Sequence, residues 1–221
     1  MAALTIVTHK AWMPPAIRAP LVAYVSGLGP TSMRQNLGLD VRVDSTPWQA
    51  AVVSAARAQI GVTVSYDPAY TALAFPNGDV PRAKGVCTDV VIRALRDAHG
   101  IDLQEQVNDD MKSAFSVYPD LWGHSKPDTN IDHRRVPNLR TYLTRQGASL
   151  PVSQSPKNYL PGDIVTWRFA SGLVHIGIVS DAVTRGGIPK IIHNAGSGTR
   201  EQNMLFSYPI TGHYRLMSSG T

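Results

Sequence analysis

Within 221 residues there is one cysteine, Cys87, and it stands where a helix is predicted to begin. Val90, Val91, Ala94, Leu95 and Ala98 recur at helical spacing, which predicts an amphipathic helix with one face in a core. Gly85 just upstream permits a sharp turn into it. Cys87 therefore falls in or just before the first turn. Unpaired backbone N–H groups and the positive end of the helix dipole favour a thiolate there. That is the setting a nucleophilic cysteine needs. The same residue type is also a common small apolar filler of cores. The rest of the chain has to separate these two readings.

A single cysteine excludes an intrachain disulfide and any multi-cysteine zinc or iron–sulfur site. Neither a metal nor a cofactor is expected. The length suits one domain with or without an appendage, and it suffices to bury a substantial core. A formal net charge of +5 favours acidic partners. No Lys/Arg run or basic–aromatic stripe accompanies it, so nucleic acid is not an expected partner. No apolar run is long enough to span a membrane, and stable membrane insertion is not expected.

Residues 1–45 read as an N-terminal arm of unassigned role, and 46–221 as the working domain. The apolar run Ala19–Val25 is short, and Pro14, Pro15 and Pro20 interrupt it, so it makes a poor secretory signal. Thr46 and Pro47 open a helix whose apolar face holds Val52, Val53, Ala56 and Ile60, with Gly61 ending it. Residues 62–66 alternate like a short strand, and two turn-rich segments lead to Gly85. Between residues 104 and 137 the periodicity weakens to a short helix at 109–115 and irregular surface, the composition of a binding loop. Residues 137–146 form a helix with Leu139 and Leu143 inward. Strands follow at 163–169, 174–180, 189–194 and 212–217. Helices first and closely spaced strands later predict an α+β fold with an antiparallel sheet.

A thiolate attacking a carbonyl needs a base near neutrality and a group that orients it. His175 and His193 lie on successive apolar strands of the sheet that the Cys87 helix should cover. The two-residue period puts His175, Gly177 and Val179 on one face and Ile176 and Ile178 on the other. Gly177 beside His175 is expected to let the helix approach closely. A lone strand histidine is more often structural; the succession of Cys, His and His is the more specific signal. In the run Asp132-His-Arg-Arg135, Arg134 and Arg135 suit the carboxylates of a substrate, or equally an internal ion-pair cluster. Tyr66 or Tyr70 is a candidate second oxyanion donor beside the Cys87 N–H, and each is as readily a packed aromatic.

The succession Cys87, Pro161-Gly-Asp-Ile-Val-Thr-Trp167, His175-Ile-Gly-Ile-Val179 and Ile191-Ile-His-Asn194 resembles the NlpC-type branch of the papain-like cysteine peptidases. More closely, the chain resembles the bacterial domain-of-unknown-function 1287 family. The residues that carry this are 75–81, 85–93, 130–138 and 212–215, and the likeness spans about residues 48–217. It implies a papain-like α+β fold with the nucleophile helix packed on an antiparallel sheet. It further implies Cys87 as nucleophile, His175 as base and His193 as the orienting residue; beside it, the reading of the residues themselves puts Tyr70, Asp132, Arg134 and Arg135 towards the substrate. The implied substrate is an amide in the peptidoglycan stem peptide, met in the periplasm or outside the cell. The lack of a clear signal suggests delivery as an interbacterial effector, with an immunity protein or a secretion-system component as partner. Val86 before Cys87 and Thr88-Asp89 after it depart from the usual Asp and Ser-Gly of NlpC-type enzymes, which leaves the scissile bond open. The alternatives are a non-catalytic wall-binding module, an acyltransferase with the same thiol chemistry, and a metal-dependent hydrolase using histidines such as His124, His133, His175, His193 and His213.

Overall fold

The computed structural model describes residues 42–217. The apolar run at 19–25 and nearly all of the expected arm lie outside the described residues. Helix α1 (Pro47–Arg57) is capped by the Thr46 hydroxyl, which accepts from the Gln49 N–H, while the Gln49 side chain returns to the Thr46 N–H. The helix ends earlier than its apolar pattern suggests, and Ile60 lies in the following turn, exposed. Of the strand expected at 62–66, β1 keeps only Ser65–Tyr66, paired in parallel with β2 (Lys84–Gly85).

Helix α2 (Cys87–His99) begins at the cysteine and stops at Gly100, whose φ of 67° is left-handed. Its buried face joins Val52, Val53 and Ala56 of α1. Helix α3 (Leu103–Ala114) is a full turn and a half longer at its start than the expected 109–115. Asp102 caps it by accepting the Gln104 N–H, and Leu103, Val107 and Met111 at four-residue spacing bury its face. Helix α4 (Val136–Arg145) places Leu139 and Leu143 inward as predicted.

The sheet has six strands: β3 (Ser149–Leu150), β4 (Ile164–Arg168), β5 (Val174–Val183), β6 (Pro189–Asn194), β7 (Thr199–Gln202) and β8 (Ile210–Tyr214). They run in the order β3-β8-β4-β5-β6-β7, with all neighbours antiparallel. This is the α+β class expected. The last strand starts and ends earlier than the expected 212–217, and β7 falls in a stretch not read as a strand. One face of the sheet, through Ile164, Ile176, Ile178 and Ile192, packs under α1 to α4 together with Cys87. The other face, through Val165, Trp167, Val179 and Ile191, packs against Tyr159, Met204 and Leu205. Each fully buried side chain of this size stabilises the fold by roughly 1.5–3 kcal/mol.

Buried ion pairs fix the loops that frame α2. The wholly buried Arg93 donates to both Asp79 oxygens, the Thr63 hydroxyl and the carbonyls of Val80 and Lys84. Asn77 and Gly78 donate their N–H groups to Asp102 and Gln104 at the start of α3. Asp163 receives His213 at 2.7 Å and both ends of the Arg215 fork. The segments 75–81, 85–93 and 212–215 are thus largely ties between loops, helix and sheet.

Candidate active site

Cys87 is the first residue of α2, and three groups hold the chain entering it. Asp89 accepts the Val86 N–H at 2.6 Å. The wholly buried Asn194 donates to the carbonyls of Gly85 and Ser65, which ties the end of β6 to the approach to the cysteine. The Thr88 hydroxyl donates to the Arg134 carbonyl at 3.0 Å. The sulfur meets the Ile176 N–H of β5 and the Tyr66 hydroxyl.

His175 and His193 come together. His175 Nε2 lies 2.9 Å from His193 Nδ1, with the rings nearly perpendicular. The pairing of Ile178 with Ile192 and Val179 with Ile191 carries His193 alongside Gly177. A Cβ on Gly177 would stand 2.7 Å from Ile191 Cγ2 and 3.1 Å from His193 Cβ. The glycine therefore makes room for β6 and its histidine, and not for the helix as expected. It is the Ile176 and Ile178 face that lies against α2. His175 stacks on Phe169 and stands beside Trp167, on the opposite face. Among the described residues no hydrogen bond joins Cys87 to either ring nitrogen of His175.

Gln202 completes the polar chain, its Oε1 lying 3.0 Å from His193 Nε2. An amide oxygen only accepts, so His193 carries its proton on Nε2 and accepts from His175 Nε2–H through Nδ1. The lone pair of His175 is then left at Nδ1, free for a proton. Gln202 had no place in the sequence reading. Its signal was the strand β7 itself, whose four residues lack an apolar run.

Burial governs the titration of these groups. It pushes the Cys87 thiol up to about 11, against smaller opposing effects from the Ile176 N–H and the Tyr66 hydroxyl. It pulls His175 down to about 3, helped by the neighbouring His193, and lowers His193 as well. Burial, and then the charge that Cys87 would carry as a thiolate, raise the Tyr66 phenol far beyond its ordinary range, so it remains a donor. At neutral pH the resting pair is a thiol and an uncharged imidazole. The expectation of a thiolate at the helix start is overridden by loss of hydration around the sulfur.

The remaining expected residues divide. Arg134 is buried, and its fork is taken by Asp89, with Nη1 and Nη2 also facing the carbonyls of Ala69 and Asp67. It is committed to the internal ion pair, the alternative reading of that run. Tyr70 is exposed and bridges Asp128 and Asn130, outside the residues lining the Cys87 cleft. Asp132 is buried and accepts from the Asp128 N–H, Arg135 and Asn138. Arg135 lies 3.8 Å over the Trp122 ring and lines the Cys87 cleft with Tyr66, Val136 and Val174. No group of three or more histidine, cysteine or carboxylate side chains among the described residues could hold a metal ion. No helix among them is long and apolar enough to cross a membrane.

Comparison with known proteins adds three likenesses. A family model described as Domain of unknown function (DUF1287) matches residues 53–216. The uncharacterized protein YijF of Escherichia coli (strain K12) is 52% identical over 165 residues, which cover 75% of this chain and 80% of that relative. Among solved structures, NlpC1 from Trichomonas vaginalis is similar at 14% identity and a TM-score of 0.41, with 79% of this chain and 46% of that one covered.

Proposed function

The chain belongs to the family described as Domain of unknown function (DUF1287), and for this member we propose a cysteine-dependent hydrolase that cleaves an amide bond in the stem peptide of bacterial peptidoglycan. One observation carries the reading: the His175–His193 contact of 2.9 Å on the strand whose Ile176 N–H faces the Cys87 sulfur. The peptidoglycan substrate follows from the family resemblance read in the sequence.

In this mechanism the Cys87 proton passes to His175 Nδ1, and because the ring rests on the face of β5 opposite α2, substrate binding has to shift the strand to bring it to the sulfur. Catalytic hydrogen bonds commonly tighten only in such complexes. The thiolate adds to the carbonyl carbon, and the C=O electron pair moves to oxygen. The Cys87 N–H at the helix start and the Tyr66 hydroxyl are the donors for that oxyanion. The imidazolium returns its proton to the departing amine as the C–N bond breaks. Water, deprotonated by His175, then adds to the thioester and releases the acid and the thiol. His193 and Gln202 hold the His175 tautomer throughout, as the third member of a triad does.

The test is mass spectrometry of muropeptides released from purified sacculi by the wild type and by Cys87→Ala. Products that appear only with the cysteine support the reading, and their masses identify the bond. No products from folded wild-type protein would overturn it in favour of a binding module or another amide substrate.

A further inference from the structure

Among the described residues, the buried and half-buried arginines Arg57, Arg93, Arg96, Arg134, Arg135 and Arg215 each hold a carboxylate. Arg140 is half-buried too and holds none among them. Its Nη2 donates to the Thr211 carbonyl of β8 at 2.8 Å, and its Nε is enclosed. Nη1 has no partner among the described residues and keeps open surface. A guanidinium drawn partly out of water without a counter-charge is costly, and its planar fork matches a carboxylate.

Arg140 lines a groove of about 480 Å³ between α4, β8 and residues 117–119. Pro137, Arg140, Thr141 and Thr144 have the three- and four-residue spacing of one face of α4. Pro137 also lines the Cys87 cleft, so groove and cleft meet at the first turn of that helix. Among the described residues no carboxylate lines the groove. Its second cation, Arg145, is already held by Asp110 at 2.6 Å. The remaining wall is largely apolar, from Val117, Pro119 and Tyr214. One free guanidinium on such a wall fits a single carboxylate carried on a peptide, not a polyanion, which needs several cations.

We infer that this groove is a subsite for a peptide carboxylate. Arg140 receives it through Nη1, and the chain bearing it runs past Pro137 into the Cys87 cleft. That this chain is the substrate of Cys87 rests on the hydrolase reading; carboxylate binding at Arg140 does not.

The test uses the full chain with Cys87→Ala, which separates binding from turnover. It is sedimented with sacculi freed of phosphate polymers, and with the same sacculi after carbodiimide coupling of their carboxyl groups to ammonia. Amidation is expected to weaken binding about fivefold or more. Arg140→Gln should bind native sacculi as weakly as amidated ones. Arg185→Gln removes the same charge from an exposed turn and should still discriminate. Should Arg140→Gln fail to fold, Thr144→Glu decides the matter. That position is exposed on the same wall one turn on, so its carboxylate occupies Arg140 and costs binding to native sacculi about threefold. Equal binding of both kinds of sacculi, discrimination kept by Arg140→Gln, its loss in Arg185→Gln, or no sedimentation with native sacculi would each overturn the inference. Cysteine-dependent release of muropeptides that survives such a result leaves the hydrolase reading intact, and Arg140-dependent sedimentation without release leaves the groove.

Discussion

Arg134 grips Asp89 with two ends of its fork, Nε to Oδ1 and Nη2 to Oδ2, each at 2.9 Å and both side chains almost wholly buried. Asp89 in turn holds the N–H that precedes Cys87. The pair therefore fastens the 132–134 turn to the head of α2 and sets where Arg135 enters the cleft. Removing one partner leaves the other charged and buried. Arg134→Met should cost about 3–5 kcal/mol in urea denaturation, and the double variant with Asp89→Asn should recover part of that loss.

Acid should loosen the fold through its histidines. Burial lowers His133 to about 4 and His175 to about 3. Between those values and the unfolded value near 6.5, the unfolded chain binds more protons than the folded one, so stability falls as pH falls. Each such histidine contributes a slope of about 1.4 kcal/mol per pH unit in its window. Denaturation of His133→Asn from pH 7 to 4 should show a flatter profile by about that slope.

Alkylation of Cys87 by iodoacetamide in the free protein should be slower than that of a small thiol at pH 7.5. The rate should keep rising towards pH 11, the value to which burial carries the thiol. Tyr66→Phe removes a donor to the sulfur and should slow the reaction further. A fast reaction saturating near neutrality would show a resting ion pair instead.

Gly177→Ala forces its new methyl to within 2.7 Å of Ile191 Cγ2. Overpacking of this kind costs about 1–3 kcal/mol. Because His193 Cβ is the next neighbour, at 3.1 Å, imidazole nitrogen shifts in NMR should report a lengthened His175–His193 contact.

Gln202 is exposed, so Gln202→Leu should leave stability within about 0.5 kcal/mol. It releases the tautomer of His193 and hence that of His175. Cysteine-dependent cleavage of sacculi should fall about tenfold or more. The substrate KM should stay unchanged, since Gln202 does not line the Cys87 cleft.

Local pattern carried much of this fold. The apolar spacing after Cys87, the Thr46-Pro47 start and the β-rich second half all lie in short segments, and α2, α1 and the strands β4 to β6 stand where that spacing put them. Helix α3 was half hidden because its first turn depends on Asp102, a cap whose carboxylate also serves the loop at Asn77. Which face of β5 meets α2 was not legible. Alternation defines two faces, and only the packing of Ile176 and Ile178 beneath the helices chooses between them. Arg134 read equally as ligand or anchor until Asp89, 45 residues away, was found in its fork. Arg140 gave no signal, since the groove it lines forms between α4 and β8, which are apart in the chain.

The resting arrangement of Cys87 also bears on how long the protein keeps its chemistry. Oxidation of a thiol follows its thiolate fraction and its exposure. Here the sulfur is buried, and a value near 11 leaves only about one molecule in three thousand ionised at pH 7.5. His175 lies on the far side of β5, so among the described residues its ring does not draw the proton away. Peroxide and small disulfides therefore meet an almost inert residue. On the proposed hydrolase reading, such a cysteine would resist oxidation at rest and react only once substrate fills the cleft.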